Sequence, residues 1–460
     1  MTIRADNPRH TIRPRRAALL NRPARARARE KADLLIVNAN ELVTLSANNQ
    51  RPRTGKHLLE LGVVRDGALV VKDGRIAAVG KTHEITRAYK SENIVNANGK
   101  TVLPGFVDSH THLVFAGSRE DEFLLRVEGA SKQEILDRGG GLLRIVKETR
   151  RANVEKLVEK ATETLNSMLE HGTTTVEAKS GYGLTTKDEM KILEAIQRLN
   201  QMHPVDLIPT FLGANAIPLE YANEPEDFVN LIIDEMIPKA ADKGHAEFCD
   251  VSCERDAFNM DQSRRILTAG KNLGLKPKVH ADESTPSGGA ELAASVGAAS
   301  ADHVLFSSGE GLKAMAEKGI VATLLPASAF SLMTGRFPDA RTMINLGVPI
   351  ALGTDFSPNC WVENLQLVIA FACHFMRLNP AEAIIAATIN AAHAVNRAGE
   401  VGSLEVGKKA DILVLDVPNH NFLGYRFSVN LVEKVIKNGR LVVDKEAAES
   451  EYRLLEEQET

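Results

Sequence analysis

Two histidines separated by a single residue, His110 and His112, end an apolar run that follows Leu103-Pro-Gly105. In a β-strand, residues i and i+2 point to the same face, so both imidazoles would project together from the end of the strand. Neutral imidazoles are frequent ligands of zinc and of other first-row metal ions. A bare His-x-His pair is also typical of two solvated histidines, so the metal-site interpretation depends on residues further along the chain.

Three further residues that could bind a metal ion or carry a proton each lie at the end of an apolar run of their own. They are His280, His303 and Asp355. Imidazoles and a carboxylate are the usual ligands of zinc and similar metals. A catalytic ion lowers the pKa of a bound water from about 15.7 towards 7, which supplies a nucleophile at neutral pH. The five residues together predict a metal-dependent hydrolytic centre.

Glu283 follows His280 in the sequence His-Ala-Asp-Glu, just beyond a predicted strand end. A carboxylate beside an activated water can take its proton and pass it to a leaving nitrogen. An acid at this place is also typical of the first turn of a helix, where negative charge is favoured. The neighbouring His280 favours the catalytic interpretation.

The elements that must position these residues alternate between short apolar runs and amphipathic stretches. The amphipathic stretches 155–170 and 188–200 repeat apolar residues at helical spacing. The predicted strands are 103–110, 172–178, 205–213, 247–253, 276–281, 300–306, 321–327 and 349–354. This alternation predicts an α/β fold with a (β/α)8 barrel over residues 103–395, whose active site lies at the carboxyl ends of the strands. A doubly wound open sheet is the alternative, but it would gather polar residues at one switch point.

The two ends of the chain are rich in short strands with hairpin signals, Asp73-Gly74 and Asn438-Gly439. We expect residues 31–102 and 396–447 to fold together into one small β-domain. Residues 1–30 contain nine arginines against two acids, with no serine and no apolar core. This composition predicts a disordered basic tail rather than a transit peptide or secretory signal.

The amino-acid composition limits which binding partners and which cellular compartment are expected. The formal net charge of −4 gives no reason to expect nucleic acid or an anionic membrane as a partner. No apolar stretch approaches the roughly 18 residues that span a bilayer. The four cysteines form no disulfide framework, which favours a reducing, cytoplasmic setting.

Four longer motifs resemble the amidohydrolase superfamily of metal-dependent hydrolases, and the similarity extends over about residues 33–445. The motifs occupy residues 112–119, 172–184, 280–283 and 325–332. They are most similar to the branch of the superfamily that opens the cyclic amide of 4-imidazolone-5-propanoate. The resemblance implies formation of N-formimidoyl-L-glutamate, a step of histidine degradation, by a homodimeric enzyme.

The resemblance also implies a role for each candidate residue. One zinc or iron ion would be held by four of them, namely His110, His112, His280 and Asp355. Glu283 would contact the substrate and shuttle the proton, His303 would orient the water or stabilise developing charge, and Asp355 is a possible base. Arg119 and Tyr182 match substrate-binding positions, and a guanidinium suits the propionate because it forks onto both carboxylate oxygens.

Two substrate-contacting places depart from the family pattern. Asn215 stands where the family has a histidine, and an amide can donate a hydrogen bond but cannot become a cation. Loss of one such electrostatic donor can cost roughly 100- to 1000-fold in turnover. The loop after the eighth predicted strand reads Ser357-Pro-Asn359-Cys360 in place of Asn-Pro-Gly-Ser. These positions are still expected to contact the substrate.

Two other functions remain open at this point. The departures are compatible with a related amidohydrolase that acts on another anionic cyclic amide or on an amino-heterocycle, although Arg119 favours an anionic substrate. A non-enzymatic scaffold is the third hypothesis. The complete set of metal ligands together with Glu283 argues against it.

Overall fold

In the computed structural model of the chain, Thr2 and residues 29–46 and 50–447 are described. The predicted basic tail therefore lies outside the described residues, apart from Thr2, Arg29 and Glu30. The described part of the chain contains two sheets of eight strands each and a small two-stranded sheet. One large sheet is wholly parallel and forms the barrel, and the other is built from both ends of the chain.

The strands follow one another along the chain in three groups. The N-terminal group contains β1 (Glu30–Lys31), β2 (Leu34–Val43), β3 (Val63–Lys72), β4 (Arg75–Lys81), β5 (Tyr89–Lys90), β6 (Ile94–Asn96) and β7 (Thr101–Pro104). The barrel group contains β8 (Phe106–Thr111), β9 (Thr173–Lys179), β10 (Asp206–Ala214), β11 (Phe248–Cys253), β12 (Lys276–Ala281), β13 (Ser300–His303), β14 (Val321–Leu324) and β15 (Ile350–Leu352). The C-terminal group contains β16 (Ile412–Leu415), β17 (Val432–Lys437) and β18 (Arg440–Asp444).

The helices pack mostly outside the barrel strands. They are α1 (Thr82–Ala88), α2 (Glu120–Val127), α3 (Lys132–Asp137), α4 (Leu142–Arg151), α5 (Val154–Glu170), α6 (Thr186–Met202), α7 (Pro225–Leu231), α8 (Ile237–Ala241), α9 (Met260–Asn272), α10 (Gly289–Val296), α11 (Gly309–Lys318), α12 (Pro326–Ser331), α13 (Ala340–Leu346), α14 (Leu365–Phe375), α15 (Pro380–Ala386), α16 (Ile389–Ala394) and α17 (Phe422–Tyr425). Short 3-10 turns span Gly55–Leu59, Leu219–Tyr221 and Asp242–Gly244, and a π-turn spans Ile232–Met236.

The predicted fold class is confirmed. Strands β8 to β15 pair in sequence order, each parallel to the next. The second sheet has the order β18-β17-β16-β7-β2-β3-β4, and β6 also pairs with β2, so both chain ends contribute to one β-domain. Both predicted hairpins are present, β3–β4 around Asp73-Gly74 and β17–β18 around Asn438-Gly439.

The first predicted strand, 103–110, is in fact two strands that belong to different sheets. Leu103 lies in β7 of the β-domain, and the chain crosses into the barrel at Gly105. The Gly105 N–H donates to Asp411 O at 2.9 Å. A Cβ at this position would lie 2.3 Å from Thr174 Oγ1, so the close approach requires glycine. β7 spans the predicted domain boundary between residues 102 and 103, and the domain boundaries stay predictions.

The predicted amphipathic helices 155–170 and 188–200 correspond to α5 and α6. Asn153 caps α5 by accepting a hydrogen bond from Lys156 N, and Thr185 caps α6 in the same way through Asp188 N. The buried face of α5 carries apolar residues at the predicted helical spacing, namely Leu157, Ala161, Leu165, Met168 and Leu169. These helices pack against the barrel and contribute core rather than chemistry.

The barrel is closed by backbone hydrogen bonds beyond the end of its last strand. Asp355 N donates to His110 O at 3.1 Å, and His112 N donates to Phe356 O at 2.8 Å. Thr111 and Phe356 form a parallel bridge between these two bonds. The closure therefore places Asp355 directly beside the first strand and its two histidines.

Among the described residues, no helix combines the length and the apolar composition that crossing a membrane would require.

Candidate metal centre and active site

The predicted metal ligands converge at the carboxyl ends of the barrel strands. His112 Nε2 lies 3.4 Å from His280 Nε2. Asp355 Oδ1 lies 3.4 Å from His110 Nε2 and 3.6 Å from His112 Nε2. The four side chains come from β8 and the residue after it, from β12 and from the segment after β15, so strands far apart in sequence present their ligand atoms to one point.

The arrangement of these side-chain atoms is better explained by a shared metal ion than by hydrogen bonds among the side chains. His110 Nε2, which faces Asp355, is buried with no hydrogen-bond partner. Unpaired buried nitrogens are costly unless another ligand satisfies them. Two nitrogens bound tetrahedrally at about 2.0–2.1 Å from one zinc ion are about 3.4 Å apart, which matches the His112–His280 separation. Burial holds the pKa of His112 well below its usual value, so this imidazole is neutral and free to coordinate.

Asp355 is held in a conformation that side chains other than glycine seldom adopt, with φ of 53°. The preceding Thr354 anchors it, because Thr354 Oγ1 and N donate to the buried Asp108 carboxylate at 2.6 and 3.0 Å. Burial acts to raise the pKa of Asp355, but contact with His110 lowers it well below the usual range. The carboxylate is therefore ionised and directed at the histidines.

His303 and Glu283 form the side of the site next to the ligand cluster. The His303 ring centroid lies 5.4 Å from those of His110 and His280, and its Nε2 lies 3.9 Å from Glu283 Oε2. Burial lowers the pKa of His303. Both residues line a cavity of about 220 Å³ whose other walls are mostly apolar. A neutral imidazole and a carboxylate thus face a space into which a small molecule fits.

A hydrogen-bonded layer of charged residues supports the ligands from below. His110 Nδ1 donates to Asp302 Oδ2 at 2.7 Å, and His280 Nδ1 lies 3.0 Å from Asp250 Oδ2. The remaining members of the layer are Glu177, Lys179 and Lys278. We did not predict these five residues from the sequence. Lys278 and His280 are two residues apart in one strand, and so are Glu177 and Lys179, so each pair points to the same face. This spacing was the sequence feature that could have placed the charged residues beneath the histidines.

Arg119 immediately precedes α2, and an acidic residue of that helix fixes its side chain. Its Nε donates to Glu122 Oε2 at 2.8 Å, and its second guanidinium nitrogen bonds the same oxygen. The other oxygen of Glu122 accepts a hydrogen bond from Gly141 N at 3.0 Å. The loop before α4 therefore orients the guanidinium through Glu122.

Tyr182 and Asn215 lie on neighbouring strand ends. The Tyr182 ring is 5.7 Å from the His112 ring. Asn215 Nδ2 donates to Gly181 O at 2.9 Å, and Asn215 Oδ1 accepts from Ser252 Oγ at 3.3 Å. One Nδ2 hydrogen of Asn215 remains for another acceptor.

The segment 357–360 forms a tight turn. Ser357 N donates to Cys360 O, and Cys360 N donates to Ser357 O, at 3.0 and 3.1 Å. Cys360 is fully buried, and its thiol donates to Thr354 O at 3.4 Å. The structure does not place Cys360 at the surface of the site, because its side chain packs into the core beneath the turn. Asn359 Oδ1 is buried without a hydrogen-bond partner.

Comparison with known proteins identifies the class. A model of the amidohydrolase family matches residues 101–442, and a model of the bacterial imidazolonepropionase-like composite domain matches residues 67–89. An adenosine deaminase from Xanthomonas campestris with bound zinc has a similar fold, with a TM-score of 0.66 at 18% identity over 94% of this chain and 99% of that one. A 5-methylcytosine deaminase from Klebsiella pneumoniae gives a TM-score of 0.69 at 17% identity, over 89% and 97% of the two chains.

Closer similarity is found among the imidazolonepropionases. That of Alkaliphilus metalliredigens is 48% identical over 416 residues, which cover 90% of this chain and 98% of the relative. That of Geobacillus sp. strain WCH70 is 50% identical over 415 residues, with 89% and 98% covered. The chain therefore belongs to the amidohydrolases and, within them, to the imidazolonepropionase family.

Proposed function

We propose that the chain hydrolyses the cyclic amide of 4-imidazolone-5-propanoate to N-formimidoyl-L-glutamate, in the degradation of histidine. The observation that carries the proposal is the near-complete coverage of imidazolonepropionases at 48–50% identity. Convergence of His110, His112, His280 and Asp355 at the strand ends supports a hydrolytic mechanism that depends on a metal. Zinc or iron suits this ligand set.

The reaction adds one water across the ring carbonyl–nitrogen bond. When bound, an ion held by His110, His112, His280 and Asp355 would polarise the carbonyl and lower the pKa of the attacking water. Glu283 takes the proton of the water and delivers it to the ring nitrogen as the carbon–nitrogen bond breaks. His303, which lies beside Glu283, donates a hydrogen bond to the oxygen on which negative charge develops. The new carboxylate and the protonated nitrogen are both retained in the open-chain product.

Substrate binding is assigned to the surrounding loops. Arg119 binds the propionate carboxylate, and Glu122 keeps the guanidinium in a fixed orientation. Tyr182 packs on the ring side next to His112, and the remaining Asn215 amide hydrogen is available to a substrate oxygen. Ser357 and Asn359 are proposed to border the same space from the turn after β15.

We place the protein in the cytoplasm, as expected for an enzyme of this family. All four cysteines are free thiols, and three of them are buried, which supports a reducing cytoplasm. The family resemblance supports a homodimer. Light scattering on the purified full-length chain measures the oligomeric state.

The test is a turnover assay on the metal-loaded protein with 4-imidazolone-5-propanoate. Mass spectrometry should identify a product that is one water heavier than the substrate. The matched control is the same ring without the propionate chain, which lacks the group that Arg119 binds. Absence of turnover, or preference for the neutral ring or for an amino-heterocycle, would contradict the proposal.

A further inference from the structure

Five charged side chains lie fully buried directly beneath the metal ligands. We call this set, Glu177, Lys179, Asp250, Lys278 and Asp302, the ionic cluster. Charged residues are seldom fully buried, and burying an ion pair often costs more than the attraction returns. Such a cluster therefore calls for a functional explanation in addition to a structural one.

Lys179 is the centre of the ionic cluster. Its Nζ lies 2.7 Å from Glu177 Oε1, 2.7 Å from Asp250 Oδ2 and 3.5 Å from Asp302 Oδ2. Lys179, Asp250 and Asp302 come from β9, β11 and β13, the second, fourth and sixth strands of the barrel. Alternate strands of a (β/α)8 barrel place inward side chains in one layer, which explains how one amine reaches two distant strands.

The two aspartate oxygens that contact Lys179 are the same atoms that face the metal-binding histidines. Asp302 Oδ2 accepts from His110 Nδ1 at 2.7 Å, and Asp250 Oδ2 lies 3.0 Å from His280 Nδ1. The hydrogen bond to Asp302 fixes the His110 ring and leaves the lone pair on Nε2, which is the nitrogen offered to a metal. The Asp250 carboxylate is in close ion-pair contact with His280 Nδ1 but is not aligned as a hydrogen bond. Each oxygen is thus positioned between an imidazole and the same ammonium group.

We propose that Lys179 is a positioning residue of the metal centre, whose single ammonium holds Asp250 and Asp302 so that His280 and His110 present Nε2 to the same ion. This inference rests on the metal centre of the proposed function. It extends it by assigning the relative placement of two ligands from opposite sides of the barrel to one buried side chain.

Charge alone predicts the opposite effect of removing this lysine. The ionic cluster holds two lysines and three carboxylates, a formal charge of −1. Without Lys179 the charge becomes −2, and a cation above it would be attracted more strongly. Positioning predicts weaker binding, because groups that orient metal ligands typically contribute 10- to 100-fold to affinity. The two explanations therefore differ in sign.

The experiment measures the affinity of the full-length, metal-stripped chain for Zn²⁺ by competition with a chromophoric chelator. For Lys179→Met we expect the dissociation constant to rise roughly 10- to 100-fold. Lys278→Met is the matched control, because Lys278 is equally buried and lies 3.5 Å from Asp302 Oδ2, whereas Lys179 contacts both aspartates. We expect a smaller rise for this control.

A second variant shows whether the single substitution acts only by destabilising the fold. Lys179→Met/Glu177→Gln removes one cation and one anion, keeps the formal charge at −1, and retains both aspartates that face the histidines. We expect this double variant to lose affinity as well, and its Co²⁺ form to show altered visible absorption bands because the ligand geometry changes. A general loss of stability would lower the melting temperature of the metal-free protein without altering the Co²⁺ spectrum.

The outcomes separate this inference from the proposed function. Zinc binding by either variant that equals or exceeds wild-type binding, with an unchanged Co²⁺ spectrum, would overturn the role of Lys179 and leave the metal centre intact. Failure of the wild-type chain to bind Zn²⁺ would instead overturn the metal centre, and this inference with it. Normal zinc binding without turnover of imidazolonepropanoate would contradict only the substrate.

Discussion

The floor and the rim of the site differ in how they are built. The floor consists of the four proposed metal ligands and the ionic cluster, and these residues lie on strands and on the closing segment after β15. The rim consists of loop residues Glu283, Arg119, Asn215 and the turn 357–360. Floor residues are buried and bonded to one another across the barrel, whereas rim residues are held by local contacts such as Arg119 with Glu122. We therefore expect the buried floor to determine the reaction, and the loop residues of the rim to determine which substrate binds.

Both departures from the family pattern lie on the rim. The resemblance predicts a histidine where Asn215 lies and a different sequence for the turn 357–360, whereas all four proposed metal ligands are present. A change on the rim leaves the layer of hydrogen bonds below it untouched. The comparison predicts that floor variants lose the reaction and that rim variants alter substrate binding.

Among rim residues, the largest effect is expected for Glu283. This residue is proposed to carry a proton, so its substitution should impair the reaction although it lies on the rim. For Glu283→Gln we expect kcat to fall roughly 100- to 10,000-fold, because the proton carrier is lost while its shape is kept. Bound metal per chain should stay at the wild-type level. The exposed Glu310→Gln is the control for removal of a carboxylate. A change confined to KM would show that the floor alone performs the chemistry.

Arg119→Ala should mainly affect binding. Loss of the charge-assisted hydrogen bonds to the propionate should raise KM roughly 10- to 100-fold, with a smaller change in kcat. The ring without a propionate chain should show no additional loss in the variant. Steady-state kinetics with both compounds measure this difference, and Arg151→Ala, at an exposed position, is the control. An unchanged KM for the anionic substrate would remove Arg119 from the site.

Asn215→His should restore a donor that can carry charge and so raise turnover. A hydrogen bond from a charged group contributes about 1 kcal/mol more than a neutral one, which corresponds to roughly fivefold in kcat. Asn215→Ala, which removes the donor, should be slower than the parent. A histidine variant no faster than the parent would show that the amide already performs the role.

The smallest effect is expected for Glu254, whose side chain holds the loop that carries Glu283. The expected effect is on the pH dependence of stability. Its Oε1 accepts from Glu283 N at 2.5 Å, and its Oε2 accepts from Thr285 Oγ1 at 3.3 Å. Burial raises the pKa of Glu254 from 4.5 to about 7. Between these values the folded protein keeps a proton that the unfolded chain has released. This carboxyl group therefore lowers stability as pH rises through that window, and its cost is complete above about pH 7.

Glu254→Gln removes this titration. The melting temperature of the variant should consequently fall less steeply than that of the wild type between pH 5 and pH 8. Thermal unfolding monitored by circular dichroism across this range measures the difference in slope. Parallel curves for the two proteins would show that Glu254 does not titrate there.

The floor could be predicted from the sequence to the extent that strand ends mark it. His110, His280 and Asp355 each follow an apolar run, and parallel strands bring their carboxyl ends together. The position of Gly105 as a crossing point could not be predicted, because it depends on contacts with Thr174 and Asp411, which are distant in sequence.

The ionic cluster was missed for a physical reason. Lysine and glutamate are among the residues least often buried, so Glu177 and Lys179 in a predicted strand carry no obvious signal. Asp250 and Asp302, which neutralise Lys179 together with Glu177, lie on other strands and become neighbours only when the barrel closes. Cys360 illustrates the converse, since a loop position expected at the substrate packs into the core.

The central claim is that the floor binds one catalytic metal ion. The most direct test measures metal per chain and turnover of 4-imidazolone-5-propanoate on the same preparation, before and after chelation, and again after zinc or iron is returned. We expect one ion per chain, loss of turnover by at least about 1000-fold in the stripped protein, and recovery with the ion. Full turnover by metal-free protein would contradict the account.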